Sequence, residues 1–321
     1  DYEKIVDEKN RRLIFFGRYA GLAGLIETIH AYGEKLKLQG IHTPFEKIKQ
    51  AYQYSSVEEA KMHFKSVAND LKKNGIPKNL GPVVFGFAGY GNVSCGAQEL
   101  FDLLPHKDLS STELTENFSS LTSWDGTLFK FVFKEEHMVI PKNGKFDLRD
   151  YYDNPENYTG NFSSWLPYIN VLVNCIYWTE KYPRLVTKDY LNQHPDGNLS
   201  VIGDISCDIE GSIEITHKST YPDSATYTYF PAEKQFKDGT LRNGITIMAV
   251  DNLPCEFSKE SSIEFSRVLR EFIPLLIQEN FNVPLEELKL PASMKRGLIL
   301  HQGKLTEDYI YIKKYLKKEN S

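Results

Sequence analysis

The sequence has no run of about 18 apolar residues, so it holds no candidate membrane-spanning helix. It has only four cysteines, Cys95, Cys175, Cys207 and Cys255, and no CxxC pair. That spacing argues against zinc and for a reducing compartment. Positive charge is not in excess: 38 Lys and Arg against 43 Asp and Glu leave −5. General nucleic-acid binding needs concentrated Lys and Arg, so neither a nucleic-acid nor a membrane partner is expected. The start, Asp1-Tyr2-Glu3-Lys4, lacks the apolar core of a signal peptide and lacks an initiator Met, which points to an excerpt or a processed product. There is no internal repeat and no low-complexity tract. Five Asn-x-Ser/Thr sequons, at Asn92, Asn117, Asn157, Asn161 and Asn198, are accounted for by an Asn-rich composition.

What is present is a chain of 321 residues, 41% of them hydrophobic. That length suggests two domains with a large core. Arg11–Phe16 reads as a short strand, followed from Gly17 by a helix to about Leu38. The small residues Ala20, Gly21, Ala23 and Gly24 suit close backbone approach. Residues 44–74 carry helical periodicity, with Ser55-Ser56-Val57-Glu58-Glu59 as cap and first turn. Pro82–Phe87 is an apolar run between glycines and reads as a buried strand. Val93–Leu104 reads as the next helix, stopped by Pro105, and Lys107–Ser110 as a short second strand. Further buried strands are expected at 169–177, 199–205 and 244–250. Residues 118–167 give no clear pattern. Ser261–Asn280 reads as an amphipathic helix kinked at Pro274, and Tyr309–Lys318 as a basic amphipathic helix. Strands alternating with helices predict an α/β fold with a doubly wound sheet.

The strongest local signal is Phe87-Ala-Gly89-Tyr-Gly91-Asn92-Val93-Ser94-Cys-Gly96. It follows a strand and opens a helix, the context that a dinucleotide-binding turn requires. Gly89 would make the tight turn and Gly91 would admit a pyrophosphate. The amides from Asn92 through Ser94 would then point at the phosphates with the helix dipole. Ser94 stands where a third glycine is usual. An NAD site commonly places a carboxylate about 20 residues further on, against the ribose. That region reads Lys107-Asp-Leu-Ser110-Ser111. Hydroxyls at Ser110 and Ser111 tolerate a 2′-phosphate, which favours NADP over NAD, although Asp108 pointing inward would reverse the preference.

Several segments taken together resemble one family. They are Asp1-Tyr-Glu-Lys-Ile-Val, Phe16-Gly-Arg-Tyr-Ala-Gly-Leu-Ala-Gly24, Gly40-Ile-His-Thr-Pro-Phe45, the glycine turn, Asn174-Cys-Ile-Tyr-Trp178, Pro183-Arg-Leu-Val-Thr187, Asp204–Glu214 and Asp251-Asn-Leu-Pro254. In this order they are similar to the reductase half of the α-aminoadipic semialdehyde synthases, the lysine-forming saccharopine dehydrogenase (lysine-ketoglutarate reductase) family. The resemblance implies an alanine dehydrogenase-like fold, with a Rossmann-like cofactor lobe over residues 46–254. Residues 1–45 and 255–321 would form an incomplete α/β substrate lobe with crossing helices. It implies condensation of L-lysine with 2-oxoglutarate and reduction of the imine by NADPH to saccharopine. It also implies a mitochondrial matrix location and a linked saccharopine dehydrogenase domain, and it leaves a homo-oligomer open.

By the same resemblance, Arg12 matches the family arginine that holds a substrate carboxylate, and Phe16 lines that cleft. Cys175, Ile176 and Tyr177 lie near the cofactor, with Ser206 and Asp208. Asp251 and Leu253 lie at the nicotinamide end. Cys175 is not expected to be a nucleophile, and no metal is expected. The family's acid–base Lys and His precede the stretch at which this chain starts. The expectation is therefore cofactor binding with little turnover, unless a missing N-terminal segment or another polypeptide supplies them. Two other readings stand beside this one: a non-catalytic cofactor-binding module, and an amino-acid dehydrogenase of the alanine type.

Overall fold

The structure is a computed structural model that describes residues 1–8 and 11–316. It divides into two units, Gly17–Ser258 and a smaller one made of Asp1–Phe16 with Lys259–Ser321.

The larger unit is built on an eight-stranded sheet. Along the chain run α1 (Gly17–Leu38), α2 (Val57–Asn74), β1 (Val84–Ala88), α3 (Asn92–Phe101), β2 (His106–Asp108), α4 (Ser111–Thr115) and β3 (Leu128–Phe133). Then come α5 (Glu135–Met138), a two-stranded ribbon of β4 (Val139–Pro141) and β5 (Tyr158–Gly160) enclosing α6 (Leu148–Asp153), and β6 (Val171–Asn174). The unit continues with α7 (Lys188–Gln193), β7 (Val201–Asp204), β8 (Thr226–Phe230), β9 (Gln235–Asp238) and β10 (Ile245–Met248). The strand order is β2-β3-β1-β6-β7-β10-β8-β9. The first six are parallel, and β8 and β9 add an antiparallel edge.

Both faces of the sheet are covered, and the strands show why. In β1, Phe85 and Phe87 join the core cluster formed with α1, α2 and α3, while Val84 and Ala88 join the cluster on the other face. Side chains alternate along a strand, so a run buried on both faces must be apolar throughout. On α2 the buried residues Val57, Ala60, Phe64, Val67, Ala68 and Leu71 fall at helical spacing. The helix is capped as its sequence suggests: Glu59 N–H donates to Ser56 Oγ at 3.1 Å, and Gly75 ends it at φ +69°.

α1 lies against α3 because of two glycines. A Cβ on Gly21 would sit 1.9 Å from Val93 O, and one on Gly96 would sit 2.2 Å from Arg18 O. Residues 17–45 therefore pack with the sheet, in the larger unit, whereas the sequence reading grouped them with the terminal segments.

Several elements escaped that reading, β3 and the β8–β9 hairpin among them. β3 lies within 118–167; its Lys130 interrupts the apolar run, yet the side chain is buried and paired with Asp102 at 2.7 Å and Asp108 at 3.0 Å. In the β8–β9 hairpin, β8 alternates Thr and Tyr, and the chain turns at Lys234 in the left-handed region, φ +55°.

In the smaller unit, Arg11–Phe16 is not a strand: Arg12 makes one isolated antiparallel bridge with Val6. The amphipathic stretch forms two helices, α8 (Ser258–Leu269) and α9 (Ile273–Gln278). Pro274 sits in the first turn of α9, where its missing N–H costs nothing, so it starts a helix instead of kinking one. A short helix α10 (Ala292–Arg296) and a hairpin, β11 (Leu300–His301) with β12 (Lys304–Leu305), follow. Leu288, Leu290 and Met294 form this unit's own small core. Glu307–Tyr315 is a 3-10 helix, and the last residues of the expected basic helix lie outside the described residues.

Candidate functional site

β3, β1, β6, β7 and β10 run parallel and end along one edge of the sheet. In an open α/β sheet that edge is where ligands bind. At the end of β1 the chain turns at Gly89 with φ +95°, and a Cβ there would lie 3.1 Å from Ile176 Cγ2. Glycine is required on both counts. Gly91 is different: it has φ −77°, and a Cβ would meet nothing within 4 Å. Its role is space. Gly91 also caps α3 without a side-chain acceptor, and the first bond of the helix is Cys95 N–H to Gly91 O at 2.9 Å. The amides of Asn92, Val93 and Ser94 thus have no intrahelical acceptor, and the helix dipole adds partial positive charge. Open space before free amides fits an anionic phosphate group.

Ser94, at the position of the third glycine, is buried, and its Oγ accepts from Gln98 Nε2 at 2.9 Å. Close approach in this helix is served by Gly96, against α1.

Next to the turn, a buried polar network fixes the ends of β6 and β7. Asn174 Nδ2 donates to Asp204 Oδ1 at 2.9 Å, Ser212 Oγ at 2.9 Å and Ser206 Oγ at 3.2 Å. Asp204 also accepts from Ser206 Oγ at 2.7 Å and Thr216 Oγ1 at 2.5 Å. Burial pushes the Asp204 carboxyl up, and hydrogen bonds from Thr216, Ser206 and Asn174 oppose that. The network holds the loops that carry Cys175–Tyr177 and Ser206–Asp208. Burial also pushes the Cys175 thiol up, which suits packing and not nucleophilic attack. Tyr177 is 86% exposed. Cys207 lies in the left-handed region at φ +54°, a strained backbone held by Sγ–H donation to Ala249 O at 3.0 Å. Asp208 is exposed, its carboxyl raised by partial desolvation and by Asp204. Asp251, also exposed, follows the end of β10. This edge therefore brings together Gly89, Gly91, Asn92, Val93, Ser94, Cys175, Ile176, Tyr177, Ser206, Asp208 and Asp251.

Ser110 and Ser111 are placed otherwise. The sequence reading looks for the ribose contacts at the strand after α3, but that strand, β2, is the outer edge of the sheet, and the neighbour of β1 is β3. Ser110 caps α4: its Oγ accepts from Glu113 N–H at 3.2 Å, and its own N–H donates to Glu113 at 2.9 Å. Asp108 pairs with Lys130. Ser111 Oγ lies 3.4 Å from His137 Nε2, in the segment after β3. Residues level with the glycine turn come from that segment, since Gly89 N–H donates to Phe133 O at 3.0 Å. There Lys134 is exposed, and Glu135 accepts from the hydroxyls of Tyr90, at 3.1 Å, and Tyr152. Sequence reasoning missed these two residues; the available signal was the apolar run Leu128–Phe133 ending in charge.

Leu253 is 1% exposed and packs in the core near Gly24, so its side chain serves packing. Arg12 and Phe16 belong to the smaller unit. Arg12 Nη2 lies 3.2 Å from Glu3, and the Phe16 ring stacks on Phe265 with centroids 4.9 Å apart.

Comparison with known proteins places the chain among relatives. Residues 156–308 match the family described as alanine dehydrogenase/PNT, C-terminal domain. The chain is 38% identical to an alpha-aminoadipic semialdehyde synthase of Arabidopsis thaliana, over 97% of this chain and 30% of that one. It is 31% identical to the mitochondrial protein of that name from Mus musculus, over 98% of this chain and 36% of that one. It is 25% identical to a saccharopine dehydrogenase [NAD(+), L-lysine-forming] of Emericella nidulans, over 87% of this chain and 61% of that one. The chain thus spans about a third of the length of the curated synthases it matches. A solved L-alanine dehydrogenase superposes with a TM-score of 0.49 at 12% identity, covering 95% of this chain and 64% of that one.

Proposed function

The chain is homologous, along nearly its whole length, to one portion of the alpha-aminoadipic semialdehyde synthases, and on that premise we propose that it is the nicotinamide-nucleotide-binding part of a lysine-ketoglutarate reductase. The observation that carries this reading is the open space at Gly91 in front of the free amides of α3. In the proposed reaction the ε-amine of lysine adds to the ketone of 2-oxoglutarate, water leaves, and the resulting imine is reduced to saccharopine. Bound nicotinamide nucleotide supplies the hydride for the reduction. The chain's own part is to hold and orient. The amides of Asn92–Ser94 bind the pyrophosphate, Gly89 and Ile176 set the turn, and Cys175–Tyr177, Ser206, Asp208 and Asp251 line the nicotinamide end. Arg12 and Phe16 are proposed for the substrate, Arg12 as a fork for a carboxylate. No residue of this chain is assigned as the acid or base.

NADPH is the proposed reductant. Lys134 offers a cation beside the turn, while the carboxylate of Glu135 is engaged by Tyr90 and Tyr152. A second reading, NADH, is favoured by the NAD(+) in the names of the fungal relatives, and it requires Glu135 to exchange those phenols for ribose hydroxyls. A mitochondrial matrix location is proposed on the names of the mammalian relatives. The test is a titration with NADPH and NADH followed by energy transfer from tyrosine and tryptophan to the nicotinamide. NADPH should bind at least tenfold more tightly, and Lys134→Ala should remove most of that advantage. Binding of neither nucleotide sinks the whole reading; tighter NADH binding sinks the choice of NADP alone.

A further inference from the structure

At the opposite ends of the strands lies a feature that nucleotide binding does not use. A cavity of about 660 Å³ opens where Asn170, Ser200 and Gly244 precede β6, β7 and β10. That volume lies in the range of about 300–1,000 Å³ typical of small-molecule sites. Lys35 of α1 lines it and is 1% exposed. Its Nζ donates to Gly244 O at 2.6 Å and Thr246 Oγ1 at 3.2 Å, which leaves one N–H over. Among the described residues no carboxylate forms an ion pair with it. One helical turn earlier, Tyr32 also lines the cavity; it is 1% exposed, and its hydroxyl has no hydrogen-bond partner among the described residues.

A buried ammonium without a counter-ion and a buried phenol without a partner both lose the solvation they would have in water. One acceptor-rich anion would satisfy both, and a carboxylate has two oxygens to do so. The same cavity is lined by the exposed acids Asp196 and Glu233, which disfavour a second anionic end and suit a cation. We propose that this cavity is a second ligand site, which takes a small zwitterion of the amino-acid class with its carboxylate on Lys35 and Tyr32 and its ammonium toward Asp196 and Glu233. Lys35 suits the part: desolvation has pushed its amine down to about 8, so near neutral pH it is a cation awaiting compensation.

The experiment uses the full chain with β-alanine, propionate and propylamine as probes, followed by ligand-observed NMR. β-Alanine should bind best, propionate more weakly and propylamine not at all. Lys35→Met and Tyr32→Phe should each weaken β-alanine at least tenfold. A second readout needs no variant: β-alanine should move the titration of Lys35, seen in its ε-carbon signal, up by more than one pH unit. The proposal is overturned by no binding of β-alanine, by equal binding of β-alanine and propionate, by binding undiminished in Tyr32→Phe, or by a Lys35 titration that does not move. The nucleotide titration is independent, because that site lies at the other ends of the strands.

Discussion

The carboxyl groups of Glu27 and Glu256 lie close enough inside the core of the larger unit for each to bear on the other's charge. Glu27 is 0% and Glu256 8% exposed. Glu27 Oε1 accepts from Ala51 N–H at 2.6 Å, and Glu256 Oε2 from Tyr52 N–H at 3.2 Å. The pair ties α1 to the turn at 51–53 and to the segment just after Asp251. Two carboxylates in contact cannot both ionise without cost, so the pair retains a proton. Burial, then the neighbouring Glu27, raises Glu256 to about 9.

The sign of the pH effect follows. A carboxyl raised on folding stabilises fully below its unfolded value, near 4.3, and this is lost as pH rises through about 9. Urea unfolding should therefore show stability falling from pH 6 to pH 8, by about 2 kcal/mol. Glu256→Gln, which keeps the size of the side chain and cannot titrate, should flatten that slope. Equal slopes in the two proteins would remove the shared proton from this account.

Gly91→Ala separates binding from folding. A methyl at 91 meets no atom within 4 Å and the backbone is ordinary, so stability should change by less than about 0.5 kcal/mol. Affinity for NADPH should fall at least tenfold, since the methyl enters the space assigned to the pyrophosphate. Unchanged affinity would be the damaging result.

Gly96→Ala should do the reverse. Its methyl would lie 2.2 Å from Arg18 O, forcing α1 off α3. Overpacking of this kind costs about 1–3 kcal/mol, read from denaturant midpoints. Nucleotide binding should weaken as a consequence, because the start of α3 shifts.

Cysteine reactivity should split in two. Cys95 and Cys255 are exposed, whereas burial pushes the Cys175 thiol up and that of Cys207 up to about 12. Iodoacetamide at pH 8, followed by peptide mass analysis, should label the first two within minutes and spare the others in the folded protein. Rapid labelling of Cys175 would contradict its burial.

The sequence by itself determined the strand–turn–helix around Gly89 and Gly91, the cap of α2 at Ser56, and the buried strands near 171, 201 and 245. These are written in neighbouring residues, as apolar runs, glycines and caps, and local sterics suffice to read them. It also carried the family resemblance, through motifs kept in order along the chain. Only the tertiary structure decided that β3 and not β2 lies beside β1, which moves interest from Ser110 and Ser111 to Lys134 and Glu135. It alone brought Glu27 to Glu256 and left Lys35 without a counter-ion among the described residues. The physical reason is common to all three. Strand order and the partners of buried charges depend on contacts between residues far apart in the chain, and a periodic pattern shows which face of an element is buried but not what is packed against it.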